Sequence, residues 1–295
     1  MNPYVLSCCS TADLTKDKLE ERQIRYVCFH FILDGEEFED NMGESLPTEE
    51  LYRRMVAGAD AKTSQVTVEA YRSHFERLLA AGNDVLHIAF SSGLSGSYNS
   101  ARLAAEELRS RYPERKLYVV DSLAASSGYG LIMETLADMR DAGRSIDELR
   151  DWIEENRLRL HHWFFSTDLS FYIKGGRISK TAGMVGTLLN ICPLLNMDNL
   201  GRLQPREKIR TKKKVIRRIV EKMTEHAENG TDYSGKCFLS HSVCPEDAKA
   251  VAALVEAQFP NLDGPVRVFP IGATIGSHTG PGTVALFFWG DVRKD

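Results

Sequence analysis

The stretch "FSSGLSGSYNSA", residues 90–101, places Ser91, Ser92, Ser95 and Ser97 with two glycines directly behind the apolar run "DVLHIA". Hydroxyls and free backbone N–H groups between a strand end and a helix start converge on a site that favours an anion. Gly93 and Gly96 let the backbone approach such an anion closely. Helix capping alone needs one hydroxyl and leaves both the adjacent pair and the glycines unexplained. Similar chemistry recurs at Ser7, Ser10 and Thr11, at Thr63 and Ser64, and at Asp121, Ser122, Ser126 and Ser127. Hydroxyls are neutral, so these loops grip an anion by hydrogen bonds without a fixed charge.

Near the other end, "IGATIGSHTGPGTVALFFW" wraps His278 in Gly276, Gly280 and Gly282. The plainer reading is a satisfied structural histidine; the alternative is a ligand contact in a confined space. Residues 280–285 match a G-x-G-x-x-A dinucleotide fingerprint, but the strand, helix and ribose-binding acid it requires do not fit into the 10 residues after Ala285. Gly93-Leu94-Ser95-Gly96-Ser97 falls one residue short of a G-x-S-x-G nucleophile elbow. P-loop, zinc-protease and kinase motifs are missing. A binder is therefore favoured over an enzyme, with no catalytic residue and no metal site assigned. The enzymatic alternative is a stand-alone hydrolase or a dihydroxyacetone-kinase-like binder using a covalent adduct at Ser95 or His278.

The elements that must position these groups alternate. Strand-like runs "YVLSC", "YVCFHFIL", "DVLHIAF" and "KLYVVD" are interleaved with helical periodicity over roughly 48–57, 67–81, 97–111, 124–142 and 146–159. This pattern predicts a parallel sheet with helices on both faces, whose ligands sit beyond the strands' carboxyl ends. After "HHWFFS" it changes to short helical stretches around "FYIKGG" and "SKTAGMVGTLL", then a hairpin across residues 199–201. A basic helix, "KCFLSHSV", a helix from about Pro245, "VRVFPIGA" and "VALFFWG" follow. The fold class is therefore α/β, with an N-terminal three-layer α/β/α unit over 1–160 and a two-layer α+β unit over 161–295.

The 295 residues are 43% hydrophobic and 26% charged, with a net charge of -4, as in an ordinary soluble protein. The net charge argues against general nucleic-acid binding. The start lacks the pattern of a signal peptide and no apolar run is long enough for a membrane span, so the expected location is cytoplasmic. Six scattered cysteines show neither metal-ligand nor disulfide-framework spacing. Residues 206–222 carry nine Lys or Arg against two Glu, either a solvated helix face or a docking surface for an acidic protein or RNA.

"STADLT", "SSGLSGSYNSA", "VVDS", "YIKGGRISK", "LLNICPLL", "REKIRTKKK" and "SHTGPG" stand in the order of the signatures of the bacterial DegV family, which the chain resembles from about residue 5 to 290. The resemblance implies a two-domain, non-catalytic protein without a cofactor, holding a long-chain fatty acid in a tunnel between the domains. It further implies the role of a fatty acid kinase subunit, presenting the carboxylate to a separate kinase that forms the acyl phosphate for phospholipid synthesis, with transient membrane contact for lipid exchange. On this basis the carboxylate role falls to Thr63, Ser92 and His278, with Ser64, Ser91 and Gly93 as close neighbours. Met184, Val185, Leu188, Leu189 and Ile191 would line the tunnel; a plain helix core is the alternative. Arg177 and Arg210, and less directly Lys174, would contact the phosphate or the kinase. The chain departs from the family pattern at Cys9, where an acid is usual, and at Cys192, where a base is usual.

Overall fold

The computed structural model describes residues 3–179 and 191–295. The parallel sheet has the order β2-β1-β6-β7, formed by Tyr4–Cys9 (β1), Ile24–Val27 (β2), Asp84–Ala89 (β6) and Leu117–Asp121 (β7). Every residue of β6 is buried, as expected of a central parallel strand covered on both faces. Val68–Ala80 (α3) and Ser97–Arg111 (α4) pack on one face, Ser126–Asp141 (α5) and Ile146–Asn156 (α6) on the other. This is the expected α/β/α arrangement. Thr67 caps α3 by accepting from Ala70 N at 3.2 Å, and Ser145 with Glu148 forms a capping box on α6.

The second sheet runs β10-β9-β8-β13-β11-β12, from Leu160–Ser166 (β8), Ile191–Met197 (β9), Leu203–Arg210 (β10), Phe238–His241 (β11), Arg267–Pro270 (β12) and Thr283–Trp289 (β13). Its neighbours are antiparallel except β11 with β12. The expected hairpin is present, β9 pairing with β10 across residues 198–202. Helix α5 lies between the two sheets, touching β1 on one side and β8, β11 and β13 on the other. Gly128 on α5 permits that approach, since a Cβ there would stand 2.7 Å from His162 Nε2. One apolar core accordingly runs from Leu6, Leu86 and Ile88 through α5 to Phe164, Ala285 and Phe287. The basic helix Lys212–His226 and the helix Pro245–Gln258 cover the sheet's outer face around Phe165, Leu239 and Phe288.

A third, three-stranded antiparallel sheet was not expected. It is formed by His30–Leu33 (β3), Glu36–Glu39 (β4) and Ala61–Ser64 (β5) in the order β4-β3-β5. "YVCFHFIL" reads as one strand, but the chain leaves the parallel sheet at Cys28. Phe29 is buried, and its N–H donates to Ser10 Oγ at 3.1 Å rather than to a strand neighbour. Ala61–Ser64 is a strand end, as read from "AKTSQVT", but the short helix Ala273–Thr279 was not expected. The helix packs on β3, β5, Thr48–Val56 (α2) and Ser170–Lys174 (α7), so it joins the third sheet to the rest of the molecule.

Candidate ligand-binding site

The carboxyl ends of β6 and β7, the inner face of the second sheet and the third sheet with its helix enclose a cavity of about 330 Å³, within the range of small-molecule sites. Its walls are mainly apolar, led by Phe29, Phe90, Phe164, Ile271, Ile275 and Phe287. Phe90 directly follows β6 and meets Phe29 edge to face, with centroids 5.7 Å apart. Phe164 and Phe287 point inward from β8 and β13 by strand alternation. Among the described residues lining it, Arg177 is the one permanent cation and no carboxylate is present.

The polar end is a chain of three side chains. Thr63 on β5 lies with Oγ1 2.7 Å from His278 Nε2, and Arg177 Nη1 lies 3.4 Å from His278 Nδ1. Arginine only donates, so Nδ1 accepts; Nε2 then carries the ring proton and donates to Thr63. The threonine's own hydrogen is left free for an acceptor in the cavity. Burial, assisted by the Arg177 charge, pushes His278 down to about 4, so the imidazole is neutral near pH 7. Arg177 also donates to the carbonyls of Gly175 at 2.6 Å and Leu94 at 3.4 Å. Burial alone lowers its pKa.

The His278 helix is fixed from its N-terminal end. Asp40 accepts from Ala273 N at 3.2 Å and Thr274 N at 3.1 Å, and Asp13 accepts from Gly272 N at 3.1 Å. Ser126 Oγ donates to Asp13 at 2.5 Å. Carboxylates suit the positive end of a helix. Burial still raises the pKa of both acids, with these hydrogen bonds opposing the shift.

The predicted carboxylate residues separate in space. Thr63 and His278 come together at the cavity; Ser64, the next residue on β5, does not line it, in keeping with strand alternation. Ser91 is fully buried and donates to Gly201 O at 2.8 Å, which ties the β6 loop to the β9–β10 hairpin. Ser92 is exposed and uses its N–H on Asp121 Oδ1 at 3.1 Å. Gly93 borders a neighbouring surface cleft with Arg177 and Arg202, and a Cβ there would stand 2.5 Å from Leu200 O. The loop's cavity-lining members are instead Leu94, Ser95 and Gly96. His278 spends its nitrogens on Thr63 and Arg177, not on Ser95.

Met184, Val185, Leu188 and Leu189 lie outside the described residues. Ile191 does not line the cavity; it pairs with Arg210 at the far end of the hairpin from Met197 and Leu203, which do. Arg210 is exposed and roughly 20 Å along the strand from Leu203, so the structure does not group it with Arg177. Cys9 Sγ lies 3.1 Å from Tyr71 Oη in the core and Cys192 is buried on β9; burial raises both thiols. Gln65, Tyr172, Thr274, Thr279 and Thr283 are lining polar residues that the sequence reading missed. "AKTSQVT" carried the signal for Gln65, but the others are legible only in three dimensions.

A second cavity, of about 270 Å³, shares Thr63, Arg177 and His278 with the first. Lys62 and Lys174 border it, and Asp60 pairs with them at 2.7 and 2.8 Å. These ion pairs pull the Asp60 carboxyl down to about 2.

The arrangement defines a class: an α/β protein with an apolar cavity closed by one polar, singly cationic end. The sequence profile described as "Uncharacterised protein, DegV family" matches residues 9–291, and the chain belongs to the DegV family. It is 36% identical to a DegV domain-containing protein of Clostridium perfringens over 294 residues, covering 100% of both chains. Among solved structures it is similar to a DegV family protein from Thermus thermophilus described as fatty-acid binding. The TM-score is 0.87 at 28% identity, over 98% of this chain and 100% of that one. A Thermotoga maritima protein described as having fatty acid binding function gives 0.83 at 27%, over 99% and 100%. The fold is also shared with the Streptococcus pneumoniae fatty acid kinase B3 protein loaded with linoleic acid, with TM-score 0.85 at 22% identity over 98% and 100%. Among the described residues no helix is long and apolar enough to cross a membrane.

Proposed function

We propose that this protein binds a long-chain fatty acid, its tail in the apolar cavity and its carboxylate at Thr63, His278 and Arg177, and presents that carboxylate to a separate kinase for phosphorylation. The observation that carries the reading is the pairing of a mainly apolar cavity with the Thr63–His278–Arg177 chain, whose free threonine hydroxyl and one cation match a carboxylate. The Thermus and Thermotoga relatives described as fatty-acid binding support the ligand class. At about 0.8 kcal/mol per buried CH₂, a 16-carbon tail contributes on the order of 12 kcal/mol before ordering costs. The tail therefore dominates affinity and the polar end sets orientation.

Presentation is supported by the second cavity. The reacting nucleophile is the ligand's own carboxylate oxygen, so the protein's task is to expose it, and Thr63, Arg177 and His278 line both cavities. Lys62 and Lys174 offer positive charge where a phosphoryl donor would approach. Arg210 and the basic helix remain candidates for kinase contact.

Denaturing extraction and mass spectrometry of lipid from freshly purified protein test the binding step. Stoichiometric fatty acid, depleted in Thr63→Val, is the expected result; an empty protein that refuses added fatty acid overturns it. Trapping acyl phosphate with hydroxylamine, in mixtures of the loaded protein, ATP and its own organism's candidate kinase, tests presentation separately.

A further inference from the structure

On β8 the adjacent residues His161 and His162 face opposite sides of the sheet. His162 lines the ligand cavity; His161 enters a cluster on the outer face that the binding function does not use. There His161 Nε2 lies 2.9 Å from Asp291 Oδ1, and His226 Nδ1 lies 3.2 Å from the same oxygen. The three ligand atoms fall within 4.8 Å of one another. We propose that His161, His226 and Asp291 form a binding site for a divalent late first-row transition metal, with Zn²⁺ as the reference ion.

Metal bonds of about 2.0–2.2 Å put neighbouring ligand atoms roughly 3.0–3.5 Å apart, close to the two observed edges. A small outward movement of the Asp291 carboxylate opens the centre. Asp291 is half exposed, which leaves access and room for water ligands. The backbone pre-assembles the site. His226 ends the basic helix, Asp291 N donates to His226 O at 3.0 Å, and Ala227 bridges Gly290.

The rings are held as well. His161 stacks between Phe288 and His226, with centroids at 5.2 and 4.9 Å, and His226 stacks on Trp163 at 5.6 Å. His161 Nε2 also donates to the Asp291 backbone carbonyl at 2.9 Å, so metal binding replaces that hydrogen bond and moves the ring proton to Nδ1. The helix C-terminus adds partial negative charge. The nearby cation, Arg293, is occupied by the carbonyls of Leu123, Arg157 and Asp198. Two imidazoles and one carboxylate select Zn²⁺, Ni²⁺ or Cu²⁺ over Mg²⁺ and Ca²⁺.

The test is calorimetric titration of chelator-treated full-length protein with ZnCl₂, against MgCl₂, together with NMR of the histidine side chains. The expected result is one equivalent of Zn²⁺ bound, with His161 and His226 signals moved. His226→Gln and Asp291→Asn should each weaken binding at least tenfold, and Co²⁺ should show no thiolate charge-transfer band. No Zn²⁺ uptake, movement of other histidines only, or undiminished binding in both variants overturns the proposal. The NMR result in the wild type decides the matter should a variant fold poorly.

Discussion

Thr63→Val isolates the hydroxyl at the centre of the polar end. Because Arg177 can only donate, the proton order runs from Arg177 to His278 Nδ1 and from Nε2–H to Thr63 Oγ1, which leaves the threonine O–H for the proposed ligand. Valine preserves the branched shape and deletes the last donor. A hydrogen bond to a charged acceptor contributes about 1.5–3 kcal/mol, so fatty acid affinity should fall roughly ten- to hundredfold. Thr63→Ser should keep most of it. Isothermal titration with a saturated fatty acid, or displacement of a fluorescent one, reads the change. The same proton order fixes the pH profile. His278 is neutral down to about 4, so wild-type affinity should stay flat from about pH 8 to 6, where the carboxylate is ionised throughout. Affinity that climbs as pH falls through the ordinary histidine range would mean an imidazolium anchors the ligand and would refute the reasoning, as would a Thr63→Val protein that binds as tightly as wild type.

Ala285→Phe projects a ring from β13 into the cavity, so lipid extracted from that variant should be shortened or missing while the circular dichroism of the fold persists. Ser91→Ala leaves the Gly201 carbonyl without its buried donor and should cost about 1–3 kcal/mol in urea unfolding, with ligand affinity unchanged. Ser92→Ala should alter neither quantity; a selective loss of binding in either serine variant would restore the serine pair as the clamp. His74 and His278 are both held near 4 against an ordinary 6.5. The unfolded chain therefore takes up their protons first, and their stabilisation is complete above about pH 6.5 and lost as pH falls toward 4. Each contributes at most about 3 kcal/mol, read as a lower urea midpoint at about pH 5 than at pH 7.

Where local pattern and burial coincide, the fold was legible. Helix α4 occupies the predicted 97–111, and β6 is the buried run "DVLHIA". The β9–β10 hairpin also follows its turn residues. The third sheet was hidden because Phe29 faces a cavity assembled by distant segments, so an apolar run continuous in sequence divides between two sheets. The His278 helix was hidden because "ATIGSHT" is rich in poor helix formers, and Asp13 and Asp40 from elsewhere in the chain hold its first turn. The serine loop was read correctly as a junction, but which hydroxyls face the cavity depends on where the hairpin tip lands. Gly201 O takes Ser91, and the chain then turns Leu94 to Gly96 toward the cavity. Arg177 was reached through the resemblance alone, since "KGGRIS" has no spacing that points to His278.

These contacts also explain how one site can grip a carboxylate without trapping it. A dry pairing of a carboxylate with a fully available guanidinium would be tight and slow to release. Here Arg177 already serves the carbonyls of Gly175 and Leu94 and the His278 ring, so part of its donor capacity is committed before a ligand arrives. His278 adds no charge, and Thr63 adds one neutral donor. In the proposed complex the polar end would therefore orient more than it binds, and affinity would rest on tail burial, whether the head group is a carboxylate or a phosphorylated product. Asp60 balances Lys62 and Lys174, and a phosphoryl group entering the second cavity would compete with Asp60 for those two cations. On the proposed reading, added negative charge at the head group would be met by lysines already in place, while the tail would stay where it was.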